Sequence, residues 1–256
     1  MTRPVAIVTG AGSGIGAAIA RRLAEGGNHV TVTDIDQSAA TEVAHAILAQ
    51  GGSADADVLD VSDERQWRNV VVRTAAANGS VGILIGNAAL TAPALMAADL
   101  GVLDPPLSLW DDVMDVNLRG NALGARAVLP GMIANGGGAI VFTSSISAMR
   151  PGAARTAYSV SKAGLEGLSR AIATRYGRSG VRCNCIAPGF VDTEALTGGH
   201  IAADRLRALA DSSALGRLGR ADEIAAAAAF LTSPAASYIT GQTLVVDGGV
   251  SMHLRV

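Results

Sequence analysis

Seven short apolar runs recur along this chain, at residues 5–9, 29–33, 54–58, 83–85, 139–143, 181–186 and 243–246. Between them lie longer stretches of helical spacing at about 14–25, 38–50, 63–78 and 108–134, another around residue 158, and a last one at 222–231. Glycines close most of these stretches: Gly26-Gly27, Gly51-Gly52, Gly79, the triplet 136–138, and Gly177 to Gly180. Glycine suits a helix end because it enters the left-handed region without a β-carbon clash. Strands separated by a whole helix cannot pair as hairpins; they cross over and pair in parallel. The alternation therefore predicts an α/β fold: a Rossmann-like, doubly wound, seven-stranded, mostly parallel sheet with helices on both faces. With no linker or repeat in view, residues 1–256 are read as a single domain.

Composition narrows the function. Hydrophobic residues make up 49% and charged residues 16%, which argues against disorder. A formal charge of −2 gives no basic field for nucleic acid or an anionic membrane. The apolar stretch 224–231 is too short for a bilayer, which takes about 20 residues. The N-terminal apolar run leads straight into a glycine loop, so it reads as a first strand and not a signal peptide. Cys183 and Cys185 alternate in a strand and are expected to pack as small reduced hydrophobes. The histidines at 29, 45, 200 and 253 have no ligand spacing, so no metal is expected. These readings together predict a soluble, cytoplasmic protein.

Two constellations carry chemistry. TGAGSGIG, residues 9–16, joins the first strand to the first helix. Glycines there let backbone N–H groups approach a pyrophosphate at the positive helix end. The usual G-x-G-x-x-G frame does not fit from Gly10, since glycines fall at 10, 12, 14 and 16. Asp34 ends the second strand 24 residues after Gly10, near the position of an acid that binds the adenosine ribose. A carboxylate there accepts from ribose hydroxyls and repels a 2′-phosphate, so NAD is expected over NADP. Asp36 reads as a plain turn residue.

In AYSVSK, Tyr158 and Lys162 stand four apart and share one helix face. An ammonium beside a phenol is expected to lower a pKa of about 10, making a proton carrier for alcohol or ketone redox chemistry.

With these motifs in order, the chain resembles the short-chain dehydrogenase/reductase family over almost its whole length. The resemblance implies a cofactor site of Gly10, Gly12, Ser13, Gly14, Ile15, Gly16, Asp34 and Ile35, then Asp60 and Val61 of LDVSD. It adds Asn87, Ala88 and Ala89 of GNAA, then Tyr158 and Lys162, and Pro188, Gly189, Val191 and Thr193 of APGFVDT. It implies four catalytic residues: Ser145, thirteen before Tyr158, with Tyr158, Lys162, and Asn117 of VNLRG as a holder of relay water. Ser145, Ser147, Tyr158 and Phe190 are the implied substrate contacts, with Leu90 and Met149 in the pocket wall and a lid at about 190–215.

Two residues depart from the family's NNAG element: Gly86 stands for its first Asn and Ala89 for its Gly. The segment 90–109 also looks long. Arg150 and Arg155 flank the site in sequence, as solvent residues or as partners for a carboxylate. The resemblance implies NAD-dependent interconversion of a secondary alcohol and a ketone, hydrophobic or cyclic, in a homotetramer. The alternatives are an NADPH-dependent 3-oxoacyl reductase and a non-catalytic NAD-binding regulator.

Overall fold

The computed structural model describes residues 4–197 and 201–252. The chain opens with β1 (Val5–Thr9), α1 (Gly14–Glu25), β2 (His29–Asp34), α2 (Gln37–Ala49), β3 (Ser53–Val58), α3 (Glu64–Asn78) and β4 (Val81–Gly86). A second stretch follows with α4 (Pro93–Ala98), α5 (Leu107–Met114), a π-helical turn (Asp115–Arg119), α6 (Gly120–Ala134), β5 (Gly138–Thr143), α7 (Thr156–Tyr176) and β6 (Val181–Pro188). The chain then runs through β7 (Val191–Asp192), α8 (Glu194–Thr197), α9 (Ala203–Asp211), β8 (Gly219–Arg220), α10 (Ala221–Thr232) and β9 (Thr243–Val246). The main sheet has the order β3-β2-β1-β4-β5-β6-β9, and every neighbouring pair is parallel. β7 and β8 form a separate two-stranded pair.

The continuous apolar runs follow from burial on both faces. Along β1, Ala6 and Val8 enter one core with Ile19, Val43, Ile47 and Leu231, while Ile7 enters the other with Trp67, Phe142 and Leu165. Thus α1, α2 and α10 cover one face, and α3, α6 and α7 cover the other. Strand order reverses between β1 and β4, and at such a switch point the loops part at the strands' C-terminal ends to leave a crevice.

Local chemistry sets the ends of the elements. Asp36 caps α2 by accepting from the N–H groups of Ser38 and Ala39, so the expected plain turn residue is a helix cap. Asp63 does the same for α3 through Arg65 and Gln66. The helix expected at 108–134 runs from Leu107 to Ala134 with a π-helical turn inside it. Pro106 occupies the extended N-cap position, so α5 starts at Leu107 and Ser108 lies inside it instead of capping it. The π-helical turn then divides α5 from α6. The expected lid contains β7, α8 and α9, with 198–200 outside the described residues. Cys183 and Cys185 are free and buried in the second core.

Candidate active site

The crevice holds two adjoining cavities. One, of about 410 Å³, runs over the C-terminal ends of β1, β2 and β4; the other, of about 540 Å³, lies between α4, β6 and the α8–α9 segment. Ile15, Thr91, Thr143, Tyr158 and Thr193 line both. Tyr158 therefore stands where they meet.

The first cavity gathers most of the expected cofactor residues: Gly10, Ser13, Gly14 and Ile15; Asp34 and Ile35; Asp60 and Val61; Asn87, Ala88 and Ala89; Tyr158, Lys162 and Thr193. Gly12 and Gly16 lie behind that wall. The Gly12 N–H donates to Asp34 Oδ2 at 2.9 Å, and a β-carbon on Gly16 would stand 2.1 Å from the Gly10 carbonyl oxygen. Gly10 and Gly14 take φ of +58° and +52°, which turns the loop into the N-terminus of α1. Asp34 Oδ1 also accepts from the Asp36 N–H at 3.1 Å, which fixes the carboxylate at the cavity edge. Pro188, Gly189 and Val191 fall in the second cavity, with Ser145, Ser147 and Phe190. Leu90 lines the first cavity only, and Met149 lines neither.

Asn87 ties the strand ends together. Its Nδ2 donates to the carbonyls of Thr9 and Gly10, its Oδ1 accepts from Thr143 Oγ1, and its own N–H donates to Thr9 Oγ1. Asn117 is fully buried and lines neither cavity. Its Oδ1 accepts from the Leu90 N–H at 2.8 Å, and its Nδ2 donates to Ser161 Oγ at 3.1 Å. With the side chain bonded at both ends, Asn117 braces the β4 loop against α7.

α7 presents Tyr158 half-buried and Lys162 only 2% exposed. Lys162 Nζ donates to the Thr143 carbonyl at 2.7 Å and lies 5.6 Å from the Tyr158 ring centroid. Here the structure corrects the expected acidification. Burial raises the phenol above its ordinary value; the Ser145 hydroxyl and the charge of Arg155 oppose that rise without cancelling it. Burial also pushes the Lys162 ammonium down to about 8. Burial thus opposes the charged form of both groups.

The sequence reading missed two residues. Asp99, wholly buried just after α4, accepts from the N–H groups of Ala157 at 3.0 Å and Tyr158 at 2.9 Å. It caps α7 from 58 residues away, where Arg155 at the N-cap has no capping side-chain bond. Asn121 sits against Gly86: a β-carbon there would lie 1.9 Å from Asn121 Oδ1. That contact explains the departure at 86. A lone Asp in a loop and an Asn within a helix carry no local signal for such distant partners.

Among the described residues, no group of His, Cys, Asp and Glu could hold a metal ion, and no helix is long and apolar enough to cross a membrane. Residues 10–251 match the family described as enoyl-(acyl carrier protein) reductase. A probable short-chain type dehydrogenase/reductase of Bradyrhizobium diazoefficiens is 41% identical over 98% of this chain and 88% of its own. Cis-4-hydroxycyclohexanecarboxylate dehydrogenase of Sinomonas cyclohexanicum is 42% identical over 96% of this chain and 95% of its own. The crystal structure of gox2181 superposes with a TM-score of 0.92 at 30% identity, covering 99% of this chain and 97% of that one.

Proposed function

Because this chain belongs to the short-chain dehydrogenase/reductase family, we propose that it interconverts a secondary alcohol and a ketone, with NAD as the hydride carrier. One observation carries the reading: Tyr158 stands at the junction of a nucleotide-sized cleft and a second cavity of mixed apolar and polar lining, with Lys162 and Ser145 beside it.

The residues of the cleft fit a dinucleotide. The first N–H groups of α1 suit a pyrophosphate, and the Asp34 carboxylate suits a ribose diol. Lys162 is the only cationic side chain among the described residues lining that cleft, and it is committed to the Thr143 carbonyl. Nothing there would neutralise a 2′-phosphate, which supports NAD over NADP. When bound, the nicotinamide accepts or returns the hydride.

In the oxidative direction Tyr158, once deprotonated, takes the hydroxyl proton of the substrate. In the reductive direction the phenol donates it back. Ser145 donates a hydrogen bond to the substrate oxygen and stabilises the charge that develops there. With N–H donors left beyond its bond to the Thr143 carbonyl, Lys162 would hold the nicotinamide ribose and keep a positive charge near the phenolate. Asn117 keeps the β4 loop and α7 in register, so that donor and acceptor meet.

Pro93, Met96, Leu100, Ile146, Phe190 and Leu196 wall the second cavity, which favours a hydrophobic or cyclic alcohol. The relative that acts on cis-4-hydroxycyclohexanecarboxylate supports a ring. A homotetramer is part of the same proposal. Tyr238 is fully exposed, and Leu244 and Val245 stay open on β9 at the sheet edge, as Val160 does on α7.

The test is spectrophotometric. With a panel of cyclic ketones, wild-type protein should oxidise NADH faster than NADPH, and Tyr158→Phe should bind NADH yet lose turnover by about a thousandfold or more. Near-normal turnover by that variant would remove Tyr158 from its role.

A further inference from the structure

Arg155 and Arg205 are the only charged side chains among the described residues that line the second cavity. Both are exposed at its rim, and neither pairs with an acid among the described residues. Their neighbours behave otherwise. Arg150, on the same loop as Arg155, donates to the Ser251 carbonyl and lies outside the cavity. Arg207, on α9 beside Arg205, pairs with Asp204. The two guanidiniums that reach the cavity thus carry no acid partner among the described residues.

The backbone at Arg155 points the same way. Its φ of 68° and ψ of 46° make it the one non-glycine residue in the left-handed region among the described residues. A β-carbon disfavours that conformation, and Gly or Asn would relieve it. It is held from both sides: its N–H donates to the Asp99 carbonyl, and its carbonyl accepts from the N–H and hydroxyl of Ser159. Strain maintained against a better-suited residue is expected where the side chain has a task.

We propose that the substrate carries a carboxylate, held by Arg155 and Arg205 while its ring packs on the apolar walls. The substrate class is then a cyclic hydroxy acid and its oxo acid. The proposal rests on the redox reading of this cavity and deepens it. A guanidinium suits a carboxylate because its N–H groups form a planar fork that two oxygens can meet. Arg155 is the N-cap of the helix that carries Tyr158, and both residues line this cavity.

Two measurements separate this proposal from the reading beneath it. The first is calorimetry with cyclohexanecarboxylate and cyclohexanecarboxamide, which have no alcohol or ketone and so report binding alone. Wild type should favour the acid by about tenfold or more, as expected of a charge-assisted contact, and Arg155→Gln and Arg205→Gln should each cut that preference severalfold. Arg205 lies on an exposed helix, so its variant keeps the test intact even if Arg155→Gln folds poorly. Equal affinity for acid and amide, binding of neither, or a preference that survives both substitutions overturns the carboxylate subsite. The second is NADH oxidation with 4-oxocyclohexanecarboxylate and cyclohexanone. A higher kcat/KM for the oxo acid, lowered by either substitution, supports the subsite. Turnover of both ketones without acid preference overturns it and leaves the redox reading standing. Acid-selective binding with no turnover of either ketone sinks the redox reading instead.

Discussion

Lys162 holds a charge in a place that disfavours it. Its folded value of about 8 lies below the 10.5 of a free lysine, so between those limits the unfolded lysine holds a proton that the folded one has lost. The contribution of Lys162 to stability should therefore rise with pH from about 8 to about 10.5, while the thiols of Cys183 and Cys185, raised by burial from 9.0, pull stability down above about pH 9. Thermal denaturation of wild type and Lys162→Met across that range should show the rise in the difference between them, wild type gaining on the variant as pH increases. A difference that does not change with pH would mean that the ammonium is better solvated than its 2% exposure indicates. Asp99 is the second residue whose effect outruns its neighbourhood. Removing its carboxylate in Asp99→Ala leaves the Ala157 and Tyr158 N–H groups buried without acceptors, at about 2 kcal/mol. The expected signature is a lowered kcat with a smaller change in KM, partly restored in Asp99→Asn, which keeps one acceptor. Steady-state kinetics on the two variants would decide it.

At the scale of elements, Gly86 and Asn121 form a matched pair across β4 and α6. A methyl at 86 meets Asn121 Oδ1 at 1.9 Å and Phe142 Cδ1 at 2.7 Å, so Gly86→Ala should cost about 1–3 kcal/mol. The double variant Gly86→Ala with Asn121→Gly should recover part of that loss, which chemical denaturation of all four proteins would reveal as non-additivity. This pair also marks how far the sequence could be read. Alternation of apolar runs and glycine-stopped helices was enough for the parallel sheet, because burial on both faces leaves a continuous pattern in one dimension. The glycine loop, Asp34, Tyr158 and Lys162 were legible for a similar reason: each motif is local. The π-helical turn between α5 and α6 was not, since it stays helical and changes only which carbonyl each N–H meets. Nor was the opposing pull of burial on Tyr158 and Lys162, because desolvation depends on every element packed around them.

The whole molecule has two unlike sheet edges. On β3, Asp55 and Asp57 engage His29, Asn78 and Arg73, which leaves a charged border that discourages further pairing. On β9, Leu244 and Val245 are left open, with the fully exposed Tyr238 on the loop that leads to the strand. Burial of that border in a complex of identical chains would remove the asymmetry. Light scattering should report four times the chain mass of 25.7 kDa, and Val245→Glu should shift the population toward smaller species. A wild-type monomer would count against the assembly.

Asp99 follows directly on α4, whose Met96 and Ala97 face the substrate cavity, and precedes Leu100, which faces it too. A protein engineer who grafts a foreign stretch there to broaden scope would also unfasten the helix that carries Tyr158. Combinatorial libraries that vary 93–100 freely should yield many well-shaped but sluggish clones, and those that keep the aspartate constant should yield fewer. Under the proposed reaction, selectivity and speed would be inherited together through one carboxylate.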